Sequence, residues 1–285
     1  MPRPGIALLL LLLSLQPGVG LALDPASLHV GVFPRRPAVD TQRLFGPLTD
    51  FLSTRLGIPV KLHAPADYAA FWSAVEQGRY DLVHYNQYHY IRAHREFGHQ
   101  LLVKNEERGR SELRAALFVR DDSPIRRVAE LDGGKILFGG NRSAMVSYIL
   151  ATDLLRQSGL EAGSYLESFA QNPPKAITAM YYRQGDAAAA GDIVADLPVV
   201  INAIGNGRVR QLALSTPIPQ LPWAVTENVP GDLQIRLLDT LLALNDDTRG
   251  RRILQRLSLT GLRLASDGEY DRVREVVARV LGERF

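Results

Sequence analysis

Three times between residues 28 and 97 a short apolar run gives way to a longer segment with helical spacing, and this alternation narrows the fold more than any other feature of the chain. Residues 28–33 read as a strand that ends at Pro34; residues 41–57 follow with Leu44, Phe45, Leu48, Phe51, Leu52 and Leu56 on one helical face. Gly57 stops that helix. Strand 59–63 and helix 68–77, closed by Gly78, repeat the pair, and strand 80–85 and helix 87–97 repeat it again. Loops this short join strands through crossover helices, which implies a largely parallel sheet. The chain is α/β.

Residues 113–119 form a longer apolar strand leading into a second run of the same kind. It comprises strand 135–138, a turn at Gly139-Gly140-Asn141-Arg142, helix 143–158, a strand near 165–169, helix 174–183 and strand 187–190. Pro217, Pro219 and Pro222 mark a return to strand 223–226, and helices are expected at 232–245, 249–257 and 270–281. The order implies two lobes with the second inserted into the first: residues 23–112 plus 222–285, and residues 113–221, with hinge strands near 113–119 and 223–226. Each lobe is expected to be a sheet flanked by helices. Ligands of open α/β sheets lie beyond the carboxyl ends of the strands, so two facing lobes make a cleft that closes by hinge bending.

A single charge, Arg3, precedes the apolar run 6–13, and Gly20 and Ala22 put small residues at the −3 and −1 positions of a cut. Residues 1–22 therefore read as an export signal, since the apolar run is about half of the ~20 residues that span a bilayer. The chain has no cysteine, which excludes disulfides, thiolate metal sites, cysteine nucleophiles and a lipidated N-terminal cysteine. An exported binder without that anchor is expected in a periplasm.

The formal charge of +3, or +2 once Arg3 is removed, is spread along the chain, which argues against a nucleic-acid partner. His84, His89, His94 and His99 recur every five residues, but such a step turns a helix by ~500° and scatters the rings around its axis. Of these, His84 and His89 can approach the cleft, which leaves a metal-binding protein as a minor alternative. No nucleophile elbow, zinc-protease motif or phosphate-loop lysine after Gly139-Gly140 is present. No enzyme chemistry and no cofactor is expected.

An ordered series of short motifs then points to a family. Gly31-Val32-Phe33-Pro34, Pro47-Leu48-Thr49-Asp50-Phe51-Leu52, Gly57-Ile58-Pro59-Val60, Gly78-Arg79-Tyr80-Asp81-Leu82-Val83, Tyr85-Asn86-Gln87-Tyr88 and Ala129-Glu130-Leu131-Asp132-Gly133-Gly134-Lys135 stand at family spacing. Together they resemble the PhnD-like periplasmic binding proteins of phosphonate, phosphite and phosphate importers, within the type 2 periplasmic-binding-protein fold. That resemblance implies two lobes, each a mixed sheet flanked by helices, around a ligand cleft. It implies a monomer that delivers a small oxyanion to an ABC permease, or in the alternative a ligand report to a membrane sensor kinase or cyclase.

The resemblance also implies a set of contacts. Pro34, Tyr68 and the turn holding Tyr85, Asn86 and Tyr88 would come from lobe one. Lobe two would supply a helix start at Asn141, Arg142, Ser143 and Ala144, where exposed N–H groups and the helix dipole favour an anion. Asn172 stands nearest to a family histidine, whose own position is Pro173, and Asp192 falls where the family has polar or acidic groups. The family's Ser/Thr cluster is reduced here to Ser143, with Arg142 able to supply charge. Such exchanges alter which ligand leaves no buried polar group unpaired.

Overall fold

The computed structural model describes residues 27–285; the expected export signal at 1–22 lies outside them. In β1 (Leu28–Val32), Leu28, Val30 and Val32 are all buried, and α1 (Ala38–Leu56) covers the strand with Phe45, Leu48, Phe51, Leu52 and Leu56. The helix stops where Gly57 adopts φ 70° and returns its N–H to the Ser53 carbonyl, a conformation that glycine enters without steric cost. The alternation continues through β2 (Val60–His63), α2 (Tyr68–Glu76), β3 (Leu82–His84) and α3 (Gln87–Phe97). Next come β4 (Gln100–Glu106), the short β5 (Glu112–Leu113) and β6 (Ala115–Arg120).

The second run contains β7 (Lys135–Gly139), a π-helical turn (Met145–Leu150) that continues into α4 (Ala151–Gln157), β8 (Leu166–Ala170), α5 (Pro173–Tyr181), β9 (Ala187–Gly191) and α6 (Pro198–Ile204). The return is β10 (Val209–Leu214), β11 (Ile218–Pro219) and β12 (Pro222–Val225), followed by α7 (Gly231–Ala243), α8 (Thr248–Arg256), β13 (Gly261–Leu264) and α9 (Asp271–Leu281).

The strands form two mixed sheets, ordered β13-β4-β12-β3-β1-β2 and β10-β6-β9-β7-β8. In the first, β1 runs parallel to β2 and β3, while β12 runs antiparallel to β3 and β4. The second repeats the plan, with β7 parallel to β8 and β9, and β6 antiparallel to β9 and β10. In each sheet the chain leaves a first strand to one side and then returns to its other side. The carboxyl ends at that reversal, those of β1 and β3 and of β7 and β9, are where such sheets open a crevice.

The crossings between the sheets differ from expectation. Strand β6 pairs within the second sheet and β12 within the first, so neither residues 115–120 nor 222–225 pass between lobes as strands. The chain changes lobe on either side of a two-stranded antiparallel ribbon in which Leu113 of β5 faces Ile218 of β11. Residues 100–106 and 261–264, where the sequence pattern gives no element, are strands of the first sheet, and the helix expected from residue 143 begins at Met145 with the wider π turn.

One apolar cluster runs through both lobes. It joins Phe71 and Tyr85 of the first to Phe138 and Tyr148 of the second, with Val273, Val276 and Val277 of α9 in the same cluster. Each such side chain, fully buried, contributes about 1.5–3 kcal/mol. No described helix is long and apolar enough to cross a membrane.

Candidate functional site

The carboxyl ends of the parallel strands of both sheets line one cleft of about 500 Å³. Lobe one contributes Phe33, Pro34 and Arg35 after β1, Ala66, Asp67 and Tyr68 after β2, and Asn86 and Gln87 after β3. Lobe two contributes Gly139, Gly140 and Asn141 after β7, Gln171, Asn172 and Pro173 after β8, and Gly191, Asp192, Ile193 and Val194 after β9. The crossing segments close the back with Glu107, Arg110, Leu113, Gln220 and Leu221. Six strand ends thus supply the site, and the repeated sheet order explains why they face each other.

Helix starts converge on this cleft. Asp67 caps α2 by accepting from the Ala70 N–H, Asn86 caps α3 by accepting from His89, and Asn172 caps α5 by accepting from Lys175. The π turn begins beside them, and Ala144, Met145, Val146 and Ser147 at its start line the cleft. The leading N–H groups of a helix have no partner within it, so this end carries partial positive charge. Gly139 is required where it stands, because a Cβ there would lie 2.4 Å from Cα of Pro173, the first residue of α5.

The two lobes touch at the cleft. Asn86 Nδ2 donates to the Ser143 carbonyl at 3.2 Å, and Arg110 Nη1 donates to Asp192 Oδ2 at 2.9 Å. Arg35 stands 3.7 Å from Glu107. Both lining arginines are therefore balanced by carboxylates. The second Asp192 oxygen, Oδ1, and Gln87 Oε1 are buried without a hydrogen-bond partner.

Tyr68 enters the cleft with its ring stacked on His89, centroids 5.3 Å apart and planes at 20°. Burial raises its hydroxyl to about 12, so it is a neutral donor at any physiological pH. Burial likewise lowers His89 to about 3, and this neutral ring donates from Nδ1 to Asn86 Oδ1 at 2.8 Å. His84 faces away, stacked on Trp223 at 4.3 Å. Among the described residues no group of three side chains is placed to hold a metal.

Of the residues named from the sequence, Pro34, Tyr68, Asn86, Asn141, Ala144, Asn172 and Asp192 line the cleft together. Four side chains lie elsewhere. Tyr85 is fully buried and bonds His99 Nδ1 at 2.8 Å, because it alternates with His84 at the end of a core strand. Tyr88 donates to Glu283 Oε2 at 2.8 Å and packs on Phe285. Arg142 turns outward to Glu167 and the Tyr148 hydroxyl, with its guanidinium over the Phe169 ring. The Ser143 hydroxyl donates to Asn141 Oδ1 at 2.8 Å within the turn, which leaves it committed locally.

Arg35, Gln87, Glu107, Arg110, Ser147 and Gln171 line the cleft without having been singled out in the sequence. For Arg35 and Gln87 a signal existed, since each immediately follows a named residue at a strand end. Arg110 and Glu107 lie in a crossing segment whose position depends on both sheets, and no local pattern marks it.

A model for the family described as "ABC transporter, phosphonate, periplasmic substrate-binding protein" matches residues 30–270. Among solved structures, the fold is similar to XAC2383 from Xanthomonas citri bound to ATP, at 20% identity and a TM-score of 0.76 over 90% of this chain and 97% of that one. It is similar to PhnD1 from Prochlorococcus marinus in complex with methylphosphonate, at 16% identity and a TM-score of 0.78 over 91% and 100%. A binding-protein component of an ABC phosphonate transporter from Pseudomonas aeruginosa gives 13% identity and a TM-score of 0.76 over 90% and 87%.

Proposed function

We propose that this chain, which belongs to the family of periplasmic substrate-binding proteins of phosphonate ABC transporters, captures an oxyanion between its lobes and delivers it to an ABC importer. The fold is the two-lobed arrangement of type 2 periplasmic binding proteins, and the family is one of transport proteins. Membership favours uptake over the sensing alternative. The family places the protein in the periplasm, and a cleaved leader at residues 1–22 is the reading that accounts for its export.

The observation that carries this reading is the convergence of four helix starts on a cleft shared by six strand ends. Backbone N–H groups arranged in advance bind an anion without paying the ordering cost of flexible side chains. Tyr68 and Asn86 from one lobe and Asn141, Asn172 and the start of the π turn from the other supply donors on both sides. The ligand would then hold the lobes together, with bending at the crossing segments around β5 and β11.

The ligand we infer is a phosphonate or phosphate ester with a substituent larger than methyl. A volume of about 500 Å³ is in the range of pockets that enclose drug-sized molecules, and Phe33, Met145, Val146 and Leu221 give it an apolar side. The ATP bound to the Xanthomonas protein and the methylphosphonate bound to PhnD1 bracket this range. Titration calorimetry with alkyl and aryl phosphonates, phosphate monoesters, nucleotides, phosphite, phosphate and sulfonates tests it. Heat from none of them sinks the reading, and binding of inorganic phosphate alone sinks the claim of a larger substituent.

A further inference from the structure

A second cavity, of about 20 Å³, lies behind Phe33 and is bordered by Arg35, Arg36, Thr41, His84, Asn105 and Glu107. A space of this size holds one water-sized particle. Its hydrogen-bonding character follows from a chain of fixed donors. The Trp223 indole can only donate, and Nε1 gives its hydrogen to Asn105 Oδ1 at 3.0 Å. The Asn105 amide is thereby oriented, so Nδ2 is the atom that donates to His84 Nε2 at 3.2 Å. Nε2 is therefore an acceptor, and the proton of this neutral ring resides on Nδ1. That Nδ1–H is buried without a partner.

The charges around the cavity point the same way. Arg35 has Glu107 at 3.7 Å, whereas Arg36 makes no hydrogen bond or ion pair among the described residues. The carboxylates that act on Arg36 are Glu107, which faces Arg35, and Asp40, which is held by Arg43 at 3.2 Å, so the guanidinium of Arg36 adds one positive charge with no carboxylate of its own beside a water-sized space. Arg36 itself is lowered by this burial and by Arg35. A particle that accepts from Nδ1–H and carries one negative charge satisfies both needs.

We propose that this cavity is a binding site for a single halide ion, held by His84 Nδ1–H and the Arg36 guanidinium. The site is separate from the ligand cleft but shares Phe33, Arg35 and Glu107 with its wall, so its occupancy sets the charge felt at Arg35. It stands whatever the cleft captures.

Two measurements test it. Crystals grown with bromide give an anomalous peak in the cavity, within reach of His84 Nδ1 and Arg36. In solution, Tm of the full protein rises with chloride over gluconate at constant ionic strength and saturates, as expected for a ligand that binds the folded state. Arg36→Met removes the chloride-dependent rise, and so does His84→Phe, which keeps an aromatic ring against Trp223. Arg36 is half-buried in a bend outside the strands and helices, so its variant carries the test if His84→Phe does not fold. A water in place of the peak overturns the proposal. A bromide peak without any chloride effect on Tm means an adventitious ion only and overturns it too, as does a chloride effect that survives Arg36→Met.

Discussion

Asp153 of α4 and Arg279 of α9 form a two-pronged ion pair, Oδ1 to Nε at 2.9 Å and Oδ2 to Nη2 at 3.0 Å, that ties the C-terminal helix to the second lobe. The same helix packs on α3 of the first lobe. Asp153 is 3% exposed, and apart from Arg279 its side chain is met by Gln157 Nε2 at 2.6 Å. Arg279→Met leaves this carboxylate buried with one neutral donor and is expected to cost about 3 kcal/mol in urea denaturation. Adding Asp153→Leu returns part of that loss, because replacing both charges removes the desolvation penalty. A double variant no more stable than Arg279→Met shows that the pair does not act as a unit.

His89 predicts a loss of stability in mild acid. Its folded value of about 3 lies below the ordinary 6.5, so the unfolded chain takes up a proton that the folded protein refuses. The stability it contributes is complete above pH 6.5 and falls steadily as pH drops toward 3. At pH 5 the loss from this one ring is about 2 kcal/mol. Urea denaturation at pH 7.5 and pH 5 measures it, and His89→Asn is expected to flatten the difference by that amount.

The fold was legible wherever a hydrophobic pattern was local. The spacing of Phe45, Leu48, Phe51 and Leu52 marks α1, and the alternation of strands and helices gives the α/β class. Strand β4 escaped because its end is Lys104-Asn105-Glu106, three polar residues that break the apolar pattern of a strand. All three are buried, paired with Glu269, with His84 and Trp223, and with Arg263. Those partners lie up to 165 residues away. The site divides in the same manner. Strand ends such as Pro34, Asn86 and Asp192 could be found by position, but the outward turn of Arg142 depends on Glu167 of β8, which the local sequence of its turn does not contain.

Gly139 carries a steric prediction. A methyl group there meets Pro173 at 2.4 Å from its Cα, and backbone on both sides has no rotamer to yield. Gly139→Ala is expected to cost about 1–3 kcal/mol by pushing α5 from the end of β7. Both residues line the cleft, so ligand affinity falls with stability. Unchanged denaturation and unchanged calorimetry would remove this contact from the account of the site.

Tyr68 separates hydroxyl from ring. Tyr68→Phe keeps the stack on His89 and removes one neutral donor from the cleft, a loss of about 0.5–1.5 kcal/mol or roughly twofold to twelvefold in Kd. Tyr68→Ala also removes the stack and is expected to weaken binding further. Equal affinities for wild type and Tyr68→Phe would assign this residue to packing alone.

Arg110 and Asp192 make the sharpest test of charge in the cleft, because the cation is half exposed and the carboxylate is 9% exposed. Arg110→Ala leaves a buried negative charge in the wall of a site read as an anion binder. The ligand then meets both the loss of a donor and a repulsion that low dielectric strengthens. Affinity is expected to fall at least tenfold, ~1.4 kcal/mol or more. Asp192→Asn in the same background removes the repulsion and should recover part of the loss, so the two substitutions are non-additive in a double-variant cycle. If Arg110→Ala instead tightens binding, the carboxylate is itself a ligand contact freed by the change. The group it receives would then be a donor on the ligand, which Asp192 Oδ1, buried and without a partner, is placed to accept.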